Sequence, residues 1–70
     1  MWLAGRKLLV TATELAELAG VSRQMVYRWI RAGMPAMVSR KRWVIPYAEA
    51  RKWLQRRGRK LPKPYDLLPG

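Results

Sequence analysis

Apolar residues recur at helical spacing in three segments of the chain, and short β-prone runs follow the second segment. Between residues 12 and 19, leucines and alanines at i, i+3 and i+4 predict a first amphipathic helix. Thr11 followed by Glu14 fits the S/T-x-x-E capping box, in which each side chain hydrogen-bonds the other residue's free backbone N–H. We therefore expect the first helix to begin at Ala12.

A second helix follows closely. Gly20 can adopt the positive φ that ends the first helix, and Ser22 is a competent N-cap for the next one. Gly33, with Pro35 just beyond it, predicts the end of this second helix. Two short helices broken at a glycine outline a helix-turn-helix.

The second helix has one apolar and one polar side. At about 100° per residue, its polar side chains fall within one arc of roughly 140°. They are Arg23, Gln24, Tyr27, Arg28 and Arg31. A helix that presents guanidiniums, an amide and a phenol, without a carboxylate, suits insertion into the major groove of DNA. The alternative is an ordinary surface helix with a solvated polar face.

The β-prone runs Ala36–Val38 and Trp43–Ile45 flank the basic sequence Ser39-Arg40-Lys41-Arg42. This arrangement predicts a small β-hairpin with a cationic tip. The tip lacks the Asn-Gly or Asp-Gly pair of a tight primed turn, which leaves its geometry open. Such a tip fits a wing that lies along a phosphate backbone or enters a minor groove, and the alternative is a solvated loop.

A third helix is expected from Pro46, which suits a first helical position, to Gly58, which suits a stop. The tryptophans of three separate elements, Trp29, Trp43 and Trp53, are interpreted as a shared core. The predicted fold is mainly α with a small β-hairpin, a winged helix-turn-helix with three short helices.

The chain divides into three parts. Residues 1–10 are expected to form an N-terminal arm or a short strand beside the hairpin, and residues 11–58 the winged helix-turn-helix domain. Residues 59–70 form a Pro-rich extended tail. In this tail Tyr65, Leu67 and Leu68 either fray or dock on the domain or on a partner protein.

Charge favours a polyanionic partner. The 70 residues hold 15 Lys and Arg against 4 Asp and Glu, which gives a formal charge of +11. Positive charges at this density repel one another in the folded state. They are expected in a protein whose partner carries phosphates, because phosphate contacts neutralise the charges and release counterions. A membrane surface would also attract it, but Gly and Pro interrupt the long amphipathic helix that membrane binding requires.

Other function classes are disfavoured. Without Cys or His, the chain offers no thiolate or imidazole metal ligands, and we expect no metal, no cofactor and no enzymatic activity. No stretch approaches the ~20 apolar residues of a transmembrane helix, so we expect a cytoplasmic, DNA-associated protein. RNA binding and a partner-recruiting adaptor function remain lower alternatives, since neither an RRM-like aromatic sheet motif nor a GXXG loop is present.

The run from Leu9 to Gly58 carries a family resemblance. With TATELAELAGVS, VYRWIRAGMP, a basic hairpin and WVIPYAEARKWLQRRG, it resembles the small winged helix-turn-helix domains of phage excisionases and phage terminase small subunits. It also looks like the N-terminal DNA-binding half of MerR-type regulators. A MerR-type dimer would require a long coiled-coil helix after Gly58, and a terminase an oligomerisation region, which we do not expect here.

The resemblance implies that the second helix enters the major groove and that the wing touches the adjacent backbone or minor groove. It assigns the groove to Ser22, Arg23, Gln24, Tyr27 and Arg28, and the wing contacts to Arg40, Lys41 and Arg42. Arg31, on the same polar arc, completes the predicted DNA-binding set. The expected partners are double-stranded DNA, further copies of the chain on adjacent sites, and a recombinase or terminase bound through the tail. Recombination and transcription regulation are the implied roles, with DNA packaging as the alternative.

Overall fold

The computed structural model describes residues 1–63 and arranges them as a winged helix-turn-helix, as predicted. Its elements, in chain order, are β1 (Trp2–Ala4), β2 (Lys7–Thr11), α1 (Ala12–Ala19), α2 (Arg23–Arg31), β3 (Met37–Ser39), β4 (Arg42–Pro46) and α3 (Tyr47–Gln55). The three predicted helices are all present, with bounds that differ from the predicted ones by a few residues at most.

The strands form one antiparallel sheet in the order β1-β2-β4-β3. The β3–β4 hairpin, residues 37–46, is the predicted wing and is called the wing below. The N-terminal residues add a second hairpin, whose turn has Gly5 at a φ of 64°, the glycine position of a type II′ turn. Strand β2 pairs with β4 and sets Val10 opposite Ile45. The N-terminal residues thus contribute two strands, β1 and β2, to the sheet.

Capping residues set the bounds of the first two helices. The Glu14 backbone N–H donates to Thr11 Oγ1 at 3.1 Å, and the Thr11 N–H donates to Glu14 Oε1 at 3.0 Å, which completes the capping box. Gly20 ends α1 with a φ of 71°. The Ser22 hydroxyl then accepts the Met25 N–H at 3.3 Å and caps α2. These contacts fix where α2 begins relative to α1.

The core lies between the helices and one face of the sheet. Its largest fully buried side chains are Tyr47, Leu15, Ile45, Leu54, Val10 and Val26. Trp29 is buried with them, and Trp53 is partly buried against this core. The prediction that Trp43 shares the core is wrong, because its side chain is 37% exposed.

Strand geometry explains the position of Trp43. Trp43 lies on the same side of β4 as the buried Ile45, but two residues, or about 7 Å, closer to the wing tip. Its neighbour across the hairpin is Val38, which is itself exposed. The helices thus cover the base of the wing and leave this part of the same face open.

The segment after α3 packs against the domain. Helix α3 ends before the predicted Gly58, and Pro46 is its N-cap rather than its first residue. Beyond it, Leu61 is buried, and its carbonyl accepts a 3.1 Å hydrogen bond from Arg51 Nε. The Arg59 guanidinium lies 5.1 Å from the centre of the Trp29 ring. Residues 59–63 therefore cover the rear of α2 and α3, whereas Tyr65, Leu67 and Leu68 lie outside the described residues.

Candidate nucleic-acid interface

One side of helix α2 packs on the core, and the opposite side is exposed. Val26 is fully buried and Trp29 is 7% exposed, so both fix the helix on the core. The residues predicted to read DNA are all exposed: Ser22, Arg23, Gln24, Tyr27, Arg28 and Arg31. Because no Asp or Glu occurs in α2, this outer surface is cationic over its whole length.

The outer surface of α2 has two parts. Arg23, Tyr27 and Arg31, spaced i, i+4 and i+8, form one stripe whose members line clefts shared with the wing. Gln24 and Arg28 form a neighbouring stripe that lines none of the clefts described below. The structure thus places the first stripe beside the wing, whereas the second stripe lines neither of the two clefts between α2 and the wing.

The wing tip is a two-residue turn made by Arg40 and Lys41. Both residues have positive φ values, 50° and 65°, as in a type I′ hairpin turn. For a residue with a Cβ, this left-handed conformation costs about 1–2 kcal/mol of free energy. The tip therefore presents two cations at positions where glycine or asparagine would be more stable.

A cleft of about 360 Å³ separates α2 from the wing. Arg23 and Tyr27 line it from α2, and Lys41, Arg42 and Trp43 line it from the wing. Thr11, Ala12 and Thr13, at the start of α1, close its third side. We call it the cationic cleft. It joins three of the predicted cations, Arg23, Lys41 and Arg42, into one surface.

A second cleft, of about 280 Å³, lies further along α2 and is lined by Tyr27, Ile30, Arg31 and Trp43. Tyr27 and Trp43 line both clefts, and each is 37% exposed. We call this pair of rings the aromatic saddle. It places an apolar surface between the cationic cleft on one side and Arg31 on the other.

Arg40 lies elsewhere. Together with Arg42, Ser39 and Trp2 it lines a cleft on the outer face of the sheet, of about 460 Å³. The wing therefore carries cations on both of its faces. Of the predicted wing residues, Lys41 and Arg42 face α2, and Arg42 alone contributes to both faces.

The cations of this surface have no acidic partners among residues 1–63. Two ion pairs of that region involve its glutamates, one between the N-terminal ammonium of Met1 and Glu14 and one between Lys7 Nζ and Glu49 at 3.8 Å. Burial opposes the ionisation of Glu14, but its hydrogen bonds to the Met1 ammonium and the Thr11 N–H outweigh burial and lower its pKa. Glu14 and Glu49 thus pair with groups outside this surface, and the α2 and wing cations are left available to an outside anion.

Five residues that line the two clefts between α2 and the wing lie outside the predicted DNA-binding set: Thr11, Ala12, Thr13, Ile30 and Trp43. Trp43 was predicted to lie in the core, because the sequence does not tell how far the helices cover the core side of the sheet. Thr13 follows the N-cap by two positions, and only the packing of α1 beside the wing brings it to the cleft.

Within residues 1–63, no group of His, Cys, Asp or Glu side chains has an arrangement that would hold a metal ion. The helices of that part of the chain are all too short or too polar to cross a membrane.

A comparison with family models matches most of the chain to a helix-turn-helix domain family. The sequence model of a family described as a helix-turn-helix domain matches residues 9–58, which is 50 of the 70 residues and includes α1, α2, the wing and α3. Comparisons with curated proteins and with solved structures returned no match.

Proposed function

Because the chain belongs to the helix-turn-helix domain family and is a DNA-binding protein, we propose that it recognises specific sequences in double-stranded DNA. In this proposal α2 lies in the major groove, and the wing lies against the adjacent backbone or minor groove. The proposal concerns how the duplex is bound and which residues read it.

One observation carries the proposal. The exposed surface of α2 and the wing tip flank the same cationic cleft, and the cations that line it, Arg23, Lys41 and Arg42, have no acidic partner in the described chain. A groove lined with unpaired guanidinium and ammonium groups is the electrostatic complement of a phosphate backbone. A helix about 10–12 Å wide with its side chains also fits the major groove of B-DNA.

The side-chain chemistry of α2 suggests which of its residues contact bases. Arg23 and Arg28 can form paired hydrogen bonds with guanine O6 and N7, and Gln24 with adenine N6 and N7. Arg23 and Gln24 are the first two residues of the helix, the end from which recognition helices reach the bases. These three residues are the proposed readers of sequence.

The remaining cations and hydroxyls are proposed to hold the backbone. The Ser22 hydroxyl accepts the Met25 N–H and still has its own proton to donate to a phosphate. Lys41 and Arg42 hold the backbone from the wing side of the cationic cleft, Arg40 from the outer face, and Arg31 from the far end of α2. Such contacts fix register and orientation without carrying sequence information.

A single domain of this size covers only a few base pairs, so useful affinity requires neighbouring copies or a partner already on the DNA. We therefore propose an excisionase-like or regulatory role, in which several copies bind adjacent sites and contact a recombinase or another DNA-bound protein. The DNA-binding domain of a packaging protein is the alternative. An electrophoretic shift assay distinguishes the multi-copy mode, since it predicts discrete higher complexes whose spacing follows repeated sites.

A salt titration of fluorescence anisotropy tests DNA recognition. The substrates are duplex DNA from the neighbourhood of the gene, random duplex DNA, its single strands and duplex RNA. We expect affinity to fall steeply with salt for all duplex DNA, with tighter binding to the native region. Equal affinity for native and random duplex would contradict sequence recognition, and preference for RNA would support the RNA-binding alternative.

Arg6→Ala is the matched control for Arg23→Ala in this titration. Arg6 lies in the β1–β2 turn, at the end of the sheet opposite the wing tip, and is exposed like Arg23. Both variants remove one guanidinium. Only Arg23→Ala is expected to reduce the preference for the native region.

A further inference from the structure

The aromatic saddle carries no charge, so attraction between cations and phosphates does not explain why it is part of the α2–wing surface. Tyr27 and Trp43 are both 37% exposed, and Trp43 is not needed to fill the core. A large indole held at the surface between guanidinium groups keeps apolar area in water, which is unfavourable unless a ligand covers it.

Cationic side chains lie on both sides of the aromatic saddle. On one side the cationic cleft offers Arg23, Lys41 and Arg42, and on the other side the second cleft offers Arg31. Going along α2 from its first turn to its last, the surface is therefore cationic, then aromatic, then cationic again. Ile30 adds a further apolar side chain to the lining of the second cleft.

A DNA strand has the same alternation, because each deoxyribose lies between two phosphates. A strand that bounds the major groove passes between a recognition helix in the groove and a wing on the backbone. Lys41 and Arg42 on one side of the saddle and Arg31 on the other would take successive phosphates, which leaves the sugar between them against the rings. Carbon-bound hydrogens of deoxyribose, including those at C2′, suit an aromatic surface.

We propose that the aromatic saddle is a deoxyribose-binding site and makes the protein select DNA over RNA at one nucleotide of its target. This inference rests on the proposed DNA-binding mode and adds a ligand to it. In a ribonucleotide, the 2′-hydroxyl would be pressed against Trp43 and Ile30 and would lose its water without gaining an equivalent partner. The 2′-hydroxyl is also the group by which proteins distinguish RNA from DNA at a given site.

A ribonucleotide scan tests the proposal. Single ribonucleotides replace each deoxyribonucleotide of a bound duplex in turn, and anisotropy gives the affinity of the wild-type protein and of Trp43→Ala. For the wild type we expect about a tenfold loss at one or two adjacent positions, the size expected for one buried hydroxyl without a partner. Trp43→Ala should bind the all-DNA duplex more weakly and show a flat scan.

Val38→Ala is the matched control, since Val38 is the neighbour of Trp43 across the wing and is exposed but lines neither of these two clefts. It should keep both the affinity and the position-dependent loss. Trp43→Phe should restore most of the discrimination, because an aromatic ring is kept. Thermal unfolding of each variant confirms that it is folded at the assay temperature.

The outcomes separate this proposal from the function it rests on. Tight duplex binding with a flat wild-type scan, or a scan unchanged by Trp43→Ala, would overturn the deoxyribose site while leaving DNA binding intact. Absence of duplex binding would overturn both. A further arm replaces each thymine by deoxyuridine: a loss there that Trp43→Ala abolishes would assign the saddle to the thymine methyl group instead, and would also overturn the proposal.

Discussion

The hydroxyl of Tyr47, in the first turn of α3, donates a 2.7 Å hydrogen bond to the backbone carbonyl of Pro62. Burial raises the pKa of Tyr47, so the phenol keeps the proton that this bond uses. With the bond from Arg51 Nε to the Leu61 carbonyl, it holds the segment after α3 against the domain. Residues 59–63 therefore belong to the folded unit, although they follow the last helix.

We predict that Leu61→Ala lowers the free energy of unfolding by about 2 kcal/mol, because a buried leucine is truncated at the edge of the core. Tyr47→Phe should cost about 1 kcal/mol through loss of its hydrogen bond. Urea unfolding measures both. Lys60→Ala, at an exposed neighbour of Leu61, is the control and should change stability by less than about 0.5 kcal/mol. Equal effects of Lys60→Ala and Leu61→Ala would show that the segment is not docked.

The pH dependence of stability is predicted to contain a contribution from Glu14. Its pKa is lowered in the folded state from an ordinary value of 4.5, so its stabilisation is present above that value and is lost as pH falls through the lowered pKa. Glu14→Gln keeps a capping-box residue but removes the charge that pairs with the Met1 ammonium. At pH 7 we expect a cost below about 1 kcal/mol, since the pair is partly exposed.

Chemical unfolding between pH 3 and 7 measures this contribution. The difference between the wild type and Glu14→Gln should shrink as the pH falls. A difference that stays constant over this range would mean that the charge of Glu14 contributes nothing to stability.

The strained wing tip predicts opposite effects on stability and binding. Lys41→Gly relieves the positive φ of 65° and should stabilise the fold by about 1 kcal/mol. The same change removes a proposed phosphate contact, so DNA affinity should fall on all sequences alike, with a salt slope smaller by about 1. Thermal unfolding and salt-dependent anisotropy provide the two readouts.

Lys41→Gln separates charge from strain at this position. It removes the cation but keeps a Cβ in the left-handed conformation, so binding should weaken with no gain in stability. If neither Lys41→Gly nor Lys41→Gln weakened DNA binding, Lys41 would have no part in it.

Substitution of a residue proposed to read bases and substitution of a residue proposed to contact phosphate should change DNA binding in different ways. Gln24→Ala should cost about 1–3 kcal/mol on the preferred site and relax preference at one base pair. Arg42→Ala should weaken binding to every duplex by a similar factor. Binding selections from a randomised duplex library measure the two profiles. Identical changes in base preference would refute this division of roles.

The helix-turn-helix itself could be predicted from sequence because its determinants are local. Thr11 and Glu14 cap one helix, Gly20 ends it and Ser22 caps the next, and each acts within four residues along the chain. The helix-period pattern of α2 likewise indicated its buried side, where Val26 and Trp29 lie.

Features that depend on distant parts of the chain were harder to predict. The pairing of β2 with β4 joins residues far apart in sequence, as does the docking of Leu61 on α3. The left-handed turn at Arg40 and Lys41 is imposed by the strand register on both sides, without the usual glycine. Trp43 lies at the open part of a sheet face, and only the extent of the helices decides its exposure.

The most direct test of the central claim, that α2 reads DNA in the major groove, combines a base analogue with Arg23→Ala. Replacing single guanines of the bound site by 7-deazaguanine removes the N7 acceptor from the major groove and leaves the minor groove unchanged. We predict that one substitution weakens wild-type and Arg6→Ala binding, and that Arg23→Ala shows no further loss at that guanine. No loss at any guanine would contradict the claim, and equal losses in wild type and Arg23→Ala at every guanine would remove Arg23 from the proposed readers.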